Sequence, residues 1–133
     1  MRSPVLACLG TITAVVALAA AATFSSLLAA PQVDRQTRCG WIENPTPANW
    51  WLIDRDGEWI IGVQGGRQAE GMDNLPDFSS GWVVTNGSSY GYGCACLTAD
   101  VDVGEKQIVR IHSVKQKPLS ACKADKTLPP RGD

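Results

Sequence analysis

The stretch Tyr90-Gly91-Tyr92-Gly93-Cys94-Ala95-Cys96-Leu97-Thr98-Ala99-Asp100-Val101-Asp102-Val103 decides the fold class. Its side chains alternate. Ala95, Leu97, Ala99, Val101 and Val103 fall on one face of an extended chain, and Cys94, Cys96, Thr98, Asp100 and Asp102 on the other. A helix would scatter both sets around its surface, whereas a strand separates them. The spacing predicts a long, half-buried strand with its cysteines on the more polar face. Gly104-Glu105-Lys106-Gln107 then reads as a turn. Residues 108–114 (Ile-Val-Arg-Ile-His-Ser-Val) read as the strand that returns beside it.

Upstream, two apolar runs, Trp50-Trp51-Leu52-Ile53 and Glu58-Trp59-Ile60-Ile61-Gly62-Val63, flank Asp54-Arg55-Asp56-Gly57. Asp-Gly between such runs predicts a hairpin. Trp82-Val83-Val84-Thr85 reads as a further strand, ended by Asn86-Gly87-Ser88-Ser89. Asn44 to Asn49 holds Pro45 and Pro47 and is expected to be a fixed loop, because each proline lacks a ladder donor. Residues 64–81 show no periodicity, and irregular segments of that length tend to be functional or mobile. Pro118-Leu119-Ser120-Ala121-Cys122 fits one helical turn.

These elements predict an all-β domain, a small disulfide-braced β-barrel or β-sandwich of five to seven short strands. The expected organisation is a signal or anchor at 1–30, a flexible leader at 31–37, the domain at 38–125 and a frayed tail at 126–133. A domain of this size buries only about 60–65% of the surface its unfolded chain exposes. Disulfides and tryptophans are expected to compensate.

The chain has 133 residues and is 44% hydrophobic and 19% charged, with a net charge of −1. Those values exclude a two-domain enzyme, a coiled coil and a polybasic nucleic-acid binder. Between Arg2 and Asp34 there is no charge, and an apolar run fills the interval. A basic start followed by such a run reads as an export signal. Ala20-Ala21-Ala22 is a suitable cleavage site, while the run is also long enough to span a bilayer once as an uncleaved anchor. Without Arg2 the balance is 11 basic against 13 acidic residues.

Of five cysteines, Cys8 belongs to that segment, leaving Cys39, Cys94, Cys96 and Cys122. An even set in an exported chain implies disulfides. Cys94 and Cys96 lie too close for an unstrained mutual bond, so each is expected to join Cys39 or Cys122. The pairing is open. C-x-C with one histidine is poor zinc spacing, and no metal or other cofactor is expected.

The blocks Arg38-Cys39-Gly40-Trp41, Asn44-Pro45-Thr46-Pro47, Asn49-Trp50-Trp51-Leu52, Asp54-Arg55-Asp56-Gly57 and Gly91-Tyr92-Gly93-Cys94-Ala95-Cys96-Leu97 together resemble a family of short exported bacterial proteins classed as a domain of unknown function. The resemblance covers about residues 36 to 125. It implies export into a bacterial envelope, expected as the periplasm of a Gram-negative bacterium, or an anchor facing it. It implies no activity and no catalytic residues.

No catalytic constellation is evident. His112 is the one histidine, and it lies within a strand without a nucleophile motif. Asp54, Asp56 and Glu58 cluster at the hairpin, as turn chemistry alone would place them. Adjacent Trp50 and Trp51 must point to opposite faces of a strand, so an open face would expose one indole. The leading expectation is a non-enzymatic binding module for an envelope protein or glycan, of inhibitor or immunity type. Its candidate residues are Trp50, Trp51, Asn44, Asn49, Arg67 and Asp73. One alternative is a small envelope hydrolase using Asp54 or Asp56 with Glu58 or His112. Another is a structural envelope protein without a ligand. Nucleic acid is not expected as a partner, and a membrane only through an uncleaved N-terminal segment.

Overall fold

The computed structural model describes residues 30–131. The proposed export segment lies outside the described residues, apart from its last position. The elements are β1 (Val33–Thr46), β2 (Asn49–Asp54), β3 (Gly57–Gly62), a single 3-10 turn (Met72–Asn74), β4 (Val83–Asn86), β5 (Tyr90–Asp102), β6 (Gln107–Lys117) and α1 (Leu119–Ala124). The sheet runs β1-β2-β3-β6-β5-β4, and β1 also pairs with β5. Five strands therefore close in a ring, with β4 paired beyond β6 along the same edge of β5. The fold is all-β, as the alternation in β5 predicts.

Side chains from the inner faces fill the ring. Ile42, Leu52, Trp59, Ile61, Ala95, Leu97, Ala99, Val101, Ile108 and Ile111 form one buried cluster. A second cluster lies outside the ring, where Trp41, Tyr92, Cys94, Cys122 and Leu128 pack together. The two faces of β5 thus feed two cores. The inner is mostly aliphatic around Trp59, and the outer is built on the cysteine face.

The disulfides are Cys39–Cys96 and Cys94–Cys122. The first joins directly opposed residues of β1 and β5. The second ties α1 to the outer face of β5.

Closure at β3 and β6 uses a device that periodicity does not reveal. These parallel strands share one pair, Ile60 with Gln107. Beyond it the strands diverge, and residues 67–70 fill the gap. Val63 N–H donates to the Arg67 carbonyl, Ala69 N–H to Ile61, Glu70 N–H to Val109, and Ile111 N–H to Glu70. Part of the 64–81 segment is therefore a short bridging strand rather than an irregular loop. It has too few residues for any alternation to show.

Three further expectations are corrected. Residues 33–37, read as part of a flexible leader, begin β1 and pair with Thr98–Asp102. Their polar side chains suit an outward-facing edge, so polarity there signalled exposure and not disorder. Asn44 to Asn49 is not one loop. β1 runs through Thr46, a register shift between Glu43 and Thr46 accommodates Pro45, and only Pro47 and Ala48 turn the chain. The tail is not frayed through residue 131. Leu128 is buried, and the Trp41 Nε1–H donates to the Pro129 carbonyl at 3.0 Å.

Candidate functional site

At one end of the ring, the inner cluster is capped by aromatic residues. Trp50 is the second residue of β2, Phe78 comes from the connection before β4, and Trp82 directly precedes β4. Phe78 and Trp82 stack with ring centroids 5.1 Å apart, and Trp50 stands 6.3 Å from Phe78 and 6.2 Å from Trp82. Trp50 and Trp82 pack against the inner core yet remain half-buried.

Two glycines of the β5 block make this arrangement possible. A Cβ at Gly91 would lie 1.8 Å from the Val83 carbonyl oxygen, and one at Gly93 would lie 2.9 Å from the Trp82 ring. Without side chains there, β4 can cross closely and Trp82 can settle onto the strand.

The three aromatics line an open cleft of about 480 Å³ with Asn44, Asp77, Ser79, Ser88 and Ser89. That is within the usual size of a small-ligand site. Four of the five indole N–H groups are engaged within the protein. Trp41 donates to the Pro129 carbonyl, Trp51 to Glu43, Trp59 to Asp54 and Trp82 to the Ser89 carbonyl. Among the described residues the Trp50 N–H has no partner, and it is not sealed from solvent.

The candidate residues separate on this framework. Asn44 and Trp50 line the cleft. Asn49 supports it from behind, because its side-chain Oδ1 accepts the Gln64 backbone N–H, and the Asn44 side-chain amide donates to the Thr46 and Asn49 backbone carbonyls. Trp51 faces the opposite way and donates to Glu43 at 2.7 Å, as the alternation of adjacent residues requires. Arg67 is a barrel-closing residue, donating to the Ile108 and Ile60 carbonyls. Asp73 is exposed in the 3-10 turn and does not line the cleft. Sequence reasoning missed Phe78 and Trp82 as partners of Trp50. The glycine pair at 91 and 93 was the available signal for a close-packed ring.

The carboxylates named for hydrolysis do not converge with the histidine. Asp54 and Asp56 share the guanidinium of Arg38, at 2.6 and 2.9 Å, while Glu58 is exposed. His112 lies with Asp100 and Arg35 on the outer surface of β5, β6 and β1. The hydrogen bond from Arg38 holds Asp56 below the usual carboxylate range, and that to His112, with Arg35 beside it, lowers Asp100. A carboxylate lowered in the folded state stabilises above its unfolded value, near 3.9, and that contribution is lost as pH falls through the folded value. The melting temperature is therefore expected to drop as pH falls below about 4. An Asp56→Asn, Asp100→Asn double variant should show a shallower drop in the same titration. Equal slopes would show that these contacts do not set the acid limb.

Among the described residues no group of three or more His, Cys, Asp or Glu side chains is placed to hold a metal ion. No curated protein and no solved structure matches the chain. A family model does match, over residues 33–129, which takes in every strand and the docked tail as far as Pro129. With the four cysteines paired and the glycine block explained, the chain belongs to the DUF4087 family, described as proteins of unknown function.

Proposed function

We propose that the chain is a binding module of the bacterial envelope that takes a sugar ring of a glycan in the Trp50–Phe78–Trp82 cleft. The unpartnered N–H of Trp50 carries the reading. Every other indole is tied to the protein, whereas this one pairs an apolar ring face with a donor still available to a ligand. A sugar ring presents that combination, with an apolar C–H face and hydroxyls at its rim. Asp77, Ser79, Ser88 and Ser89 supply hydrogen-bonding groups around the aromatic floor. The two disulfides fit an oxidising compartment, and the periplasm of a Gram-negative bacterium is such a place.

The test is calorimetry and tryptophan fluorescence with a defined probe, the N-acetylglucosamine tetramer, and with amidase-released peptidoglycan glycan strands. Trp50→Ala is expected to weaken binding at least tenfold, or about 1.4 kcal/mol. Trp51→Ala, on the opposite face, should leave it unchanged. Failure of both probes to bind the wild-type chain overturns the glycan reading. An equal loss in both variants points to a general loss of fold, which a thermal melt would reveal.

A further inference from the structure

The outer face of β1 and β5 carries a second arrangement, separate from the cleft. Trp41 and Tyr92 meet edge to face, with centroids 5.5 Å apart and planes at 90°. Residues 128–131 (Leu-Pro-Pro-Arg) lie across them. Leu128 is buried to 8% exposure in the cluster with Trp41, Tyr92 and Cys122. The Trp41 Nε1–H donates to the Pro129 carbonyl at 3.0 Å. The Arg131 guanidinium lies 5.1 Å from the Tyr92 ring centroid and pairs with Glu43. Glu43 is itself held by the Trp51 N–H, so its carboxylate is presented in one orientation.

We propose that Trp41, Glu43 and Tyr92 form a receptor site for a proline-rich segment of a partner protein that ends in a cation, a site the chain's own residues 128–131 fill in cis. The chemistry is that of recognition of a polyproline segment on an aromatic surface. Prolines preset the extended backbone, an indole N–H takes a ligand carbonyl, and an acid takes the flanking cation. The tail supplies the two prolines and makes both contacts, the Pro129 carbonyl on the Trp41 N–H and Arg131 on Glu43. The occupant is specified by the tail itself: an apolar residue, two prolines and an arginine.

The geometry also makes the tail an intramolecular competitor. Cys122 anchors α1 to β5, and a turn follows in which the Thr127 N–H and hydroxyl both donate to Asp125. Only a few residues separate the anchor from Leu128. Such a short tether holds the tail at a high effective concentration, on the order of millimolar. A partner segment must therefore outcompete it, and the site opens only to a tighter or locally concentrated ligand.

The experiment uses the full chain and a synthetic peptide of sequence Lys-Thr-Leu-Pro-Pro-Arg, capped at both ends. The readout is the Trp41 indole N–H resonance. Arg131→Glu places like charge against Glu43 and should release the tail, seen as a shift of that resonance before any peptide is added. The released variant is expected to bind the peptide at least tenfold more tightly than the wild-type chain. A peptide with glutamate in place of its arginine should not bind, and adding Glu43→Gln should abolish the response to the original peptide. Arg131→Ala serves as a second releasing variant if the first perturbs the fold. If both variants leave the indole resonance in place, the tail is a fixed part of the fold and the proposal fails. It fails equally if the tail is released and the peptide does not bind.

Discussion

Trp59→Ala is expected to destabilise the protein by about 3–5 kcal/mol, the usual cost of truncating a buried tryptophan. Trp59 is fully buried on the inner face of β3, opposite Leu52. Its ring also organises the charged cluster at that end of the ring of strands. The Nε1–H donates to Asp54 at 3.0 Å, and the guanidinium of Arg38 lies 3.6 Å from the ring centroid. Lys106 lies over the same ring at 4.5 Å. Removing the indole leaves a cavity and takes a hydrogen bond from a buried carboxylate. It also strips Arg38 and Lys106 of their aromatic support. For a domain near 100 residues, this is expected to lower the melting temperature by at least about 12 °C. Trp59→Phe separates the parts. It retains much of the packing but not the N–H, and should fall between the two. A thermal melt checks both, and a shift under about 3 °C for alanine would show that the core closes without the indole.

The second large effect is expected from Cys39→Ala with Cys96→Ala. The bridged residues are 57 apart in sequence. In the chain-entropy model, releasing that loop costs about 4 kcal/mol. The Cys94–Cys122 bridge spans 28 residues and is worth about 3.6 kcal/mol in the same model. The two losses should differ in kind. Cys39 and Cys96 join strands that are already hydrogen-bonded on both sides of the bridge, so their removal weakens the whole domain. Cys122 belongs to a six-residue helix, too short to persist alone. Losing the Cys94–Cys122 bridge should free α1 and the docked tail before the barrel melts. Amide hydrogen exchange distinguishes the cases: uniform acceleration for the first pair, and early exchange confined to residues 119–131 for the second. The same pattern in both would contradict the separation into an inner and an outer core.

Much of this architecture is legible in residue order. The period of two in β5 places Ala95, Leu97, Ala99 and Val101 inside and both its cysteines outside, and the structure has them so. Val103 is the exception, since the strand ends at Asp102 and its side chain is exposed. The Asp-Gly hairpin between β2 and β3 is likewise local, set by turn chemistry that four residues can express. The opposite orientations of Trp50 and Trp51 follow from strand geometry alone.

Polarity proved a weaker guide than periodicity. Residues 34–37 are polar and yet form strand, because β5 offers them a complete edge. Arg67 looks like a loop cation. Its guanidinium closes the seam between β3 and β6 because those strands diverge after one pair. Residues 126–131 look like a loose end, but an indole donor and a carboxylate from β1 receive them.

The candidate site divides along the same line. Trp50 and Asn44 could be nominated from the sequence, since both lie in an aromatic and asparagine-rich block. Their partners Phe78 and Trp82 arrive from about thirty residues away, and only the crossing of β4 over Gly91 and Gly93 brings them together. Residue order carries the elements whose cause is local: strand alternation, hairpin turns and the four-cysteine set, and with them the family resemblance. Tertiary structure alone decided which cysteines bond, how the ring closes, and which tryptophan keeps an open N–H. Each of those depends on the meeting of segments distant in the chain, and no short-range pattern encodes that meeting.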